Sequence, residues 1–330
     1  MTRFTVVVTD SVFPSLDIDR SVLGAVGAEL TPLQAAREEE LLEAVGNADG
    51  LLVCYAPVTR RVIERAARCR VIARYGIGVD NVDLQAAAAR GIVVTNVPDY
   101  CIEEVSDHAL ALVLACARRV VYLDRLVHAG RWEPKDALPI RRLQGQVLGL
   151  VGFGKIPRRV AAKAAAVGFI PVTFDPFVDA ATCAAYGAGK VDLSTLLAKA
   201  DFVSVHAPLT AQTRGLIGEA EFRQMKPTAF LINTARGPVV SETALVSALQ
   251  SEWIAGAALD VVETEPLPPT HPLMTLPQVL LTPHVAFYSQ ESMQELQRKA
   301  AEDVARVLTG HPPRNPVPLP SVPISQGGRG

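Results

Sequence analysis

Several features that define special classes of protein are absent from this chain of 330 residues. The longest apolar run, residues 109–117, is far shorter than the roughly 20 residues that a bilayer-spanning helix needs. The amino-terminal residues lack the pattern of a secretory signal peptide. The 5 cysteines form no Cys-x-x-Cys pair and show no metal-site spacing. We therefore expect no membrane contact, no bound metal, and reduced thiols in the cytoplasm.

An excess of charge of either sign is also missing. With 32 basic and 34 acidic residues the formal net charge is −2, so no overall field would recruit nucleic acid or an anionic membrane. Aromatic residues make up only 5% of the chain, but apolar residues make up 49%, which is ordinary for a globular protein. The length is sufficient for two domains that each have a core.

A glycine-bearing turn near the middle of the chain is its most informative stretch. Residues 146–151 have the apolar pattern of a buried strand, Gly152 and Gly154 interrupt it, and a helical pattern begins at Lys155 and Ile156. Glycines let the backbone approach a pyrophosphate, and the free N–H groups and dipole of the helix amino end face it. This arrangement predicts a dinucleotide site.

A second strand pattern after this helix supports that interpretation. It covers residues 169–174 and ends in Asp175, close to the roughly 20-residue offset at which a carboxylate binds the ribose hydroxyls. Such an acid repels a 2′-phosphate, so NAD is the predicted cofactor. Pro157 departs from the pattern because it stands where the third glycine is expected, although proline suits a helix's first turn. The alternative is an ordinary βαβ crossover in which glycine only makes the turn.

Strand and helix patterns alternate along the rest of the chain, which predicts parallel sheets covered by helices on both faces. The further predicted strands are residues 4–9, 50–54, 71–74, 92–95, 202–205, 229–233, 255–259 and 279–281. The further predicted helices are residues 19–27, 33–46, 59–68, 83–90, 102–129, 242–250 and 290–308.

One loop in the first hundred residues has the features of a small anion site. Gly76, Ile77 and Gly78 follow a predicted strand at its carboxyl end, where open α/β sheets bind ligands. Their backbone N–H groups could bind a carboxylate. A tight turn without any ligand is the alternative.

Three polar clusters follow strands in the second half of the chain, and they contain Arg236, Glu265 and His284. Since the carboxyl ends of parallel strands share one sheet edge, all three could line the cleft of the glycine turn. Arginine can hold a carboxylate by a forked contact and polarise a ketone. Histidine can exchange the hydroxyl proton near neutral pH, and a carboxylate partner fixes its tautomer. Together these groups favour hydride transfer to a 2-oxo acid.

At this point the chain resembles the NAD-dependent D-isomer-specific 2-hydroxyacid dehydrogenases, a family that includes phosphoglycerate dehydrogenase and the C-terminal-binding-protein corepressors. The stretches that carry the resemblance are RYGIGVDNVDL, NVPDYCIEEVSDHAL, GLVGFGKI, VSVHAPLT, LINTARGPVV, GAALDVVETEPLP and LTPHVAFYS. The resemblance implies that Arg236, Glu265 and His284 are catalytic and that Gly76, Ile77 and Gly78 bind the substrate carboxylate.

The resemblance also implies further contacts for cofactor and substrate. The implied NAD-binding residues are Gly152, Gly154, Lys155, Ile156, Asp175, His206, Pro208, Thr234, Ala235 and Asp260, the last near the nicotinamide amide. Where phosphoglycerate dehydrogenases carry an arginine for the substrate phosphate, this chain has Cys54 and Tyr55, so Tyr55 is expected at the substrate and a phosphorylated substrate is not. Phe287 is expected to shape an apolar pocket for the substrate side chain.

The fold that the resemblance implies is α/β, with two Rossmann-like or flavodoxin-like doubly wound parallel-sheet domains and the active site in the cleft between them. The substrate-binding domain would be discontinuous, residues 1–99 plus 288–318, with a flexible tail at residues 319–330. The NAD-binding Rossmann domain would be residues 100–287. The helix from Ile102 to Ala129 would contribute to a homodimer interface.

Two other functions are compatible with these residues. The first is an NAD(H)-sensing, corepressor-like module that binds protein partners, since that branch keeps the same three catalytic residues. The second is a formate dehydrogenase, although that group has glutamine at the position of Glu265. The enzyme that interconverts a 2-oxo acid and a D-2-hydroxy acid is the favoured hypothesis.

Overall fold

The computed structural model describes residues 4–35 and 37–320. Within them the chain divides into two compact units: one runs to Tyr100 and resumes at Ser289, and the other is Cys101–Tyr288. The predicted domain limits fall one residue earlier at both junctions. The roles assigned to the two domains stay predictions. Most of the predicted tail, residues 321–330, lies outside the described residues.

The described chain contains strands and helices in alternation. The strands are β1 Phe4–Val8, β2 Ala28–Pro32, β3 Gly50–Val53, β4 Val71–Arg74, β5 Val93–Thr95, β6 Val147–Val151, β7 Ile170–Phe174, β8 Gly189–Lys190, β9 Phe202–Val205, β10 Phe230–Asn233, β11 Gly256–Leu259 and β12 Val279–Leu281. The helices are α1 Asp17–Gly24, α2 Glu38–Ala44, α3 Arg60–Arg65, α4 Leu84–Ala89, α5 Ile102–Arg118, α6 Val120–His128, α7 Lys155–Ala166, α8 Ala180–Ala185, α9 Leu193–Lys199, α10 Glu219–Phe222, α11 Glu242–Gln250 and α12 Gln290–Leu308. Short 3-10 turns lie at Val45–Asn47, Pro134–Ala137, Gly237–Val239 and Pro272–Met274.

The first unit is built on a five-stranded parallel sheet in the order β2-β1-β3-β4-β5. Every residue of β3 and β4 is buried, as expected for central strands that helices cover on both faces. The predicted parallel sheet is confirmed. Strand β2 was not predicted, because its alternating and partly polar sequence is short and ends in Pro32.

The second unit is built on a seven-stranded parallel sheet in the order β12-β11-β10-β9-β6-β7-β8. Strand β6 pairs with β7 on one side and with β9 on the other, so the winding direction reverses there. The glycine turn follows β6 and therefore lies at the switch point, where doubly wound sheets bind ligands. The polar clusters follow β10, β11 and β12 at the same edge.

Two predicted helices differ most from the observed ones. The single helix predicted from residue 102 to residue 129 is two helices, α5 and α6, because Arg119 adopts the left-handed conformation with φ 53°. The predicted helix at residues 33–46 begins only at Glu38, because Leu33 and Ala35 donate backbone hydrogen bonds to β1 and Thr9 and continue the sheet.

The short helices α8, α9 and α10 were not predicted from the sequence. Pro157 is buried in the first turn of α7, where its missing N–H leaves no intrahelical bond unmade. In residues 4–35 and 37–320, no helix combines the length and apolar character that crossing a membrane requires.

Candidate active site

The turn after β6 has the open geometry of an anion site. Gly152 has φ 96°, and a Cβ atom there would lie 3.0 Å from the backbone nitrogen of Ala207, so only glycine fits. Gly154 is the N-cap of α7, and no atom lies within 4 Å of the position that its Cβ would take. The N–H groups of Lys155 and Ile156 follow in the first turn, where a helix makes no internal bonds. The turn and the helix amino end together could hold a pyrophosphate.

Asp175 closes this turn from the end of β7. Its Oδ2 accepts a hydrogen bond from the Phe153 nitrogen at 2.8 Å, and its Oδ1 accepts one from the Phe177 nitrogen at 2.8 Å. Each carboxylate oxygen keeps a second lone pair that could accept a ribose hydroxyl. The sequence neighbours of Asp175 include no cation, but Arg158 approaches the turn, with its Nε donating to the Phe153 carbonyl at 3.0 Å. Sequence reasoning missed this positive charge.

The loop after β9 packs against the glycine turn. The backbone nitrogen of His206 donates to Val151 at 2.8 Å, which holds this loop beside β6. Burial lowers the pKa of His206 to about 3, so the ring is neutral, and its Nε2 lies 2.9 Å from Oγ of Ser204. Pro208 is exposed two residues further on.

Thr234, at the end of β10, carries a hydroxyl without a hydrogen-bond partner. The residue is 9% exposed, and its Oγ1 is buried and makes no bond with the described part of the chain. A buried hydroxyl left unpaired costs free energy unless a ligand satisfies it. Ala235 follows directly, with its nitrogen donating to Oδ1 of Asn233 at 3.0 Å. The geometry therefore fits a polar ligand beside Thr234.

Arg236 is placed by its two neighbours. Asn233 donates from Nδ2 to the Arg236 carbonyl at 3.0 Å, which closes the loop after β10. A Cβ atom on Gly237 would lie 1.9 Å from the Val262 carbonyl oxygen, so the Arg236 loop lies directly on the loop after β11. The guanidinium is half-buried, and its Nη1 donates to the Ala235 carbonyl at 2.8 Å.

Glu265 and His284 form a hydrogen-bonded pair. Nδ1 of His284 lies 2.7 Å from Oε2 of Glu265, and the Val262 nitrogen donates to the other oxygen, Oε1, at 3.1 Å. Burial alone would raise the pKa of Glu265, but the bond to His284 and the charges of His284 and Arg236 outweigh burial and lower it. Glu265 is therefore a carboxylate at neutral pH. The ring of Phe287 meets the His284 ring edge-on, with centroids 6.1 Å apart.

The loop that carries His284 is held by Asp260. This buried carboxylate accepts hydrogen bonds from the Val285 nitrogen at 3.0 Å and the Ala286 nitrogen at 2.9 Å. It also accepts one from Thr282 Oγ1 at 2.5 Å. His284 itself has φ 51°, a conformation that non-glycine residues seldom adopt and that persists where the surroundings enforce it. The expected contact between Asp260 and a nicotinamide amide stays a prediction.

His108 extends this network from α5, and sequence reasoning did not identify it. Its Nε2 lies 3.0 Å from Oγ1 of Thr282 and 3.6 Å from Oδ1 of Asp260. A histidine two turns into an apolar helix was the available signal.

The predicted substrate residues of the first unit occupy a loop at the end of β4. The Gly76 nitrogen donates to the Arg74 carbonyl at 2.9 Å, so its N–H is already used. The N–H groups of Ile77 and Gly78 make no hydrogen bond with any described residue, which leaves two donors for an anion. Tyr55, at the end of β3, is 45% exposed, and Oδ2 of Asp10 accepts from its backbone nitrogen at 2.6 Å.

The structure thus collects the predicted residues of the second unit at one sheet edge. They are Gly152, Gly154, Lys155, Ile156, Asp175, His206, Pro208, Thr234, Ala235, Arg236, Asp260, Glu265, His284 and Phe287. Tyr55, Gly76, Ile77 and Gly78 belong to the first unit. The prediction that the active site lies in a cleft between two domains stays a prediction, as do the individual catalytic roles.

One family model matches the second unit, and individual relatives match most of the chain. Residues 110–286 match the model of the D-isomer specific 2-hydroxyacid dehydrogenase, NAD binding domain. The chain is similar to the D-3-phosphoglycerate dehydrogenase of Archaeoglobus fulgidus, with 39% identity over 297 residues, which is 90% of this chain and 56% of that protein. The chain thus spans little more than half the length of this relative.

Two further likenesses cover nearly whole proteins. The glyoxylate reductase of Korarchaeum cryptofilum is 41% identical over 280 residues, which is 83% of this chain and 84% of that protein. The crystal structure of the TT0316 protein from Thermus thermophilus superposes with a TM-score of 0.86 and 38% identity, and covers 95% of this chain and 99% of that one.

Proposed function

This chain belongs to the family of D-isomer specific 2-hydroxyacid dehydrogenases, and on that premise we propose that it is an oxidoreductase that interconverts a 2-oxo acid and a D-2-hydroxy acid. The observation that carries the proposal is the His284–Glu265 pair beside Arg236, at the same sheet edge as the glycine turn. The relatives described above are named as a dehydrogenase and a reductase, so the corepressor-like alternative is not favoured.

The cofactor is NAD, and the residues present fit it. The open turn at Gly152 and Gly154 has room for a pyrophosphate, and Asp175 has lone pairs for the adenosine ribose. The unpaired hydroxyl of Thr234 offers a buried polar contact near Arg236. When bound, the reduced nicotinamide supplies the hydride that the carbonyl carbon of the substrate accepts.

The chain's own residues then handle the substrate and the proton. Arg236 holds the substrate carboxylate and polarises the ketone, because its planar guanidinium can donate to a carboxylate oxygen and to the ketone oxygen together. His284 donates the proton that the developing alkoxide needs, through Nε2, since Nδ1 is bonded to Glu265. The Glu265 carboxylate stabilises the protonated ring and holds it in one orientation.

We assign the remaining substrate contacts to residues of the first unit and of the loop after β12. We assign the N–H groups of Ile77 and Gly78 to the substrate carboxylate, and Gly76 to shaping their turn. Tyr55 and Phe287 are assigned to the substrate side chain. These roles rest on the family's pattern and on the donors that the loop leaves available.

We also propose a homodimer and a cytoplasmic location. Helix α6 has no buried residue. Its apolar residues Val120 and Val127 are 56% and 44% exposed, and Trp132 beyond the helix is 83% exposed. Apolar groups at these exposures favour a partner surface. All five cysteines are free thiols, in keeping with a reducing compartment. Sedimentation equilibrium of the wild type and of Val120→Asp would test the dimer.

The activity is tested by initial rates of NADH oxidation with a panel of 2-oxo acids, followed by chiral analysis of the product. We expect turnover of at least one of them and a D-configured hydroxy acid. His284→Asn should abolish turnover. The matched control is His271→Asn, because His271 forms a similar pair with Glu242 at 3.0 Å elsewhere in the same unit and should leave activity intact. Failure of every 2-oxo acid, or full activity in His284→Asn, would overturn the proposal.

A further inference from the structure

One histidine of the second unit has no role in the proposed reaction, although helix packing brings it to the edge of the sheet where that reaction is placed. Ala109 and Leu112 of α5 are buried in one core cluster with Ile232 of β10 and Ala258 of β11. His108 lies four positions before Leu112, on the same face of the helix. Its side chain is only 23% exposed. The packing of α5 on the sheet therefore directs a polar ring to the ends of β11 and β12.

The contact between His108 and Thr282 has a single donor direction. Nε2 of His108 lies 3.0 Å from Oγ1 of Thr282. The hydroxyl of Thr282 has one proton, and it donates that proton to Oδ1 of Asp260. Towards the ring the hydroxyl can therefore only accept, so Nε2 of His108 carries a proton. The hydrogen-bond partners assign this tautomer.

His108 reaches Asp260 through the hydroxyl and not directly. Oδ1 of Asp260 already accepts from Thr282 and, at 3.0 Å, from the Val285 nitrogen, which uses both of its lone pairs. Nε2 of His108 is 3.6 Å from this oxygen, which is beyond hydrogen-bond distance. The ring thus determines which way the Thr282 hydroxyl points, and the hydroxyl completes the set of donors around Asp260.

Asp260 in turn holds the segment that carries His284. Its carbonyl accepts from the His284 nitrogen at 2.8 Å, and its carboxylate accepts from the nitrogens of Val285 and Ala286. His284 has φ 51°, a conformation that its surroundings must enforce. A continuous series of hydrogen bonds therefore runs from α5 to the backbone on both sides of this residue.

We propose that His108 is a positioning residue of the reaction: by fixing the Thr282 hydroxyl on Asp260, it holds the His284 segment in the conformation from which the ring delivers its proton. This inference rests on the proposed function and adds a residue to it. The effect should appear in the rate of the chemical step and not in substrate binding, because other groups are assigned to the substrate carboxylate.

The kinetic test follows single turnovers of NADH oxidation with pyruvate, 2-oxobutyrate or phenylpyruvate, whichever the wild type reduces fastest. We expect His108→Phe to lower the rate by about 3- to 10-fold, the range for one lost hydrogen bond, while KM for the 2-oxo acid stays nearly constant. His108→Gln should recover most of the rate, because the Nε2 amide group of glutamine can still donate to the hydroxyl.

Thr282→Val tests the route from His108 to Asp260. The variant keeps the shape of the side chain and removes the hydroxyl, so its rate should fall by at least as much as that of His108→Phe. The double variant should be no slower than Thr282→Val alone, because the ring has no effect once the hydroxyl is gone. Losses that multiply in the double variant would mean that the two residues act separately, and would overturn the route.

Hydrogen exchange tests the same connection without turnover. The amides of Val285 and Ala286 are bonded to Asp260, so deuterium uptake by residues 283–288 of the unliganded protein reports on this anchor. We expect uptake to be about 3- to 10-fold faster in His108→Phe and in Thr282→Val, and unchanged in His108→Gln.

The matched control is His311→Phe in the first unit. Nδ1 of His311 also lies against a threonine hydroxyl, at 3.1 Å from Oγ1 of Thr309. Loss of this second histidine–threonine contact should change neither the single-turnover rate nor the exchange of residues 283–288. The Tm of every variant is measured to establish that each protein is folded under the conditions of the assays.

The outcomes separate the two proposals. If no 2-oxo acid is turned over, but exchange rises in His108→Phe and not in His108→Gln, the connection to the His284 segment stands and the proposed reaction fails. Faster exchange with an unchanged rate would mark His108 as structural and overturn its positioning role. A slower rate with unchanged exchange would also overturn it, as would an equal loss in His108→Gln, because the donor at Nε2 would then have no effect.

Discussion

Nδ1 of His284 lies 2.7 Å from Oε2 of Glu265, and the backbone nitrogen of His284 donates to the carbonyl of Asp260 at 2.8 Å. The carboxylate therefore holds the ring, and the residue that follows β11 holds the backbone of His284. Both contacts are made with the His284 backbone in the left-handed conformation. In the proposed reaction this geometry gives the ring one orientation from which to deliver its proton.

Replacement of Glu265 by glutamine should move the pH dependence of the reaction. The variant keeps the shape of the side chain but loses the charge beside the His284 ring, so 2-oxo acid reduction should fall off at a lower pH than in the wild type. The limb of hydroxy acid oxidation should move in the same direction. The measurement is the pH profile of kcat/KM in both directions, with a deuterium isotope effect to establish that hydride transfer limits the rate. Glu263→Gln, in the same loop, is the control. If the limbs of the pH profile stay in place in Glu265→Gln, Glu265 is not the functional partner of His284.

The same substitution should change the pH dependence of stability. The pKa of Glu265 is lowered in the folded protein from an ordinary value of 4.5. The carboxylate therefore adds stability above that pH, and the contribution disappears as the pH falls through the lowered value. Because the side chain is 35% exposed, the contribution should stay below about 1 kcal/mol. Urea unfolding of both proteins from pH 7 to pH 3 should show their difference shrinking with acid; a growing difference would contradict it.

Arg236→Lys should keep the charge and lose the fork. We expect kcat/KM for the 2-oxo acid to fall by at least ~100-fold, because lysine cannot hold the carboxylate and the ketone oxygen in one plane. The NADH dissociation constant should barely change. Steady-state kinetics and fluorescence titration test both points, with the exposed Arg214→Lys as control. Unchanged kinetics would make Arg236 a structural residue.

Asp175 should set the preference for NADH over NADPH. Asn at this position can still accept from the Phe153 nitrogen but no longer from the Phe177 nitrogen, and Asp175→Asn removes the charge that repels a 2′-phosphate. The preference should narrow by about 10-fold, helped by Arg158 at the same turn. Dissociation constants of both cofactors at one ionic strength measure this, with Asp179→Asn as the charge-matched control. A wild type that binds NADPH as tightly as NADH would contradict the assignment.

Thr234→Val should separate ligand binding from folding. Its hydroxyl has no partner in the described chain, so its loss should leave the unliganded protein at least as stable while weakening NADH binding by about 5- to 10-fold. Thr173→Val is the contrast, because that buried hydroxyl donates to Leu150 at 3.0 Å and its loss should cost about 1 kcal/mol or more. Thermal unfolding with and without NADH tests both variants. If Thr234→Val were less stable than the wild type and bound NADH as tightly, the hydroxyl would have no role in binding.

The sequence by itself determined the local elements and the family's motifs. Strands such as β9 and β12 and helices such as α11 and α12 have the predicted limits, because the apolar period of each segment is a property of its own residues. The glycine turn was predictable for the same reason: its left-handed Gly152 and its helix start lie within a few residues. Arg236, Glu265 and His284 were identifiable because each directly follows a recognisable strand.

Only the tertiary structure decided which of these groups meet and which are already occupied. No glycine or proline marks the break at Arg119, so the sequence pattern predicted one continuous helix there. His108 contacts Thr282, which is 174 residues away in the sequence. Gly76 donates its N–H to the Arg74 carbonyl, and Nε of that buried arginine has no hydrogen-bond partner in the described chain. Partners, burial and unpaired charge depend on the packing of distant segments, which no local period encodes, and they are the features on which the site's chemistry depends.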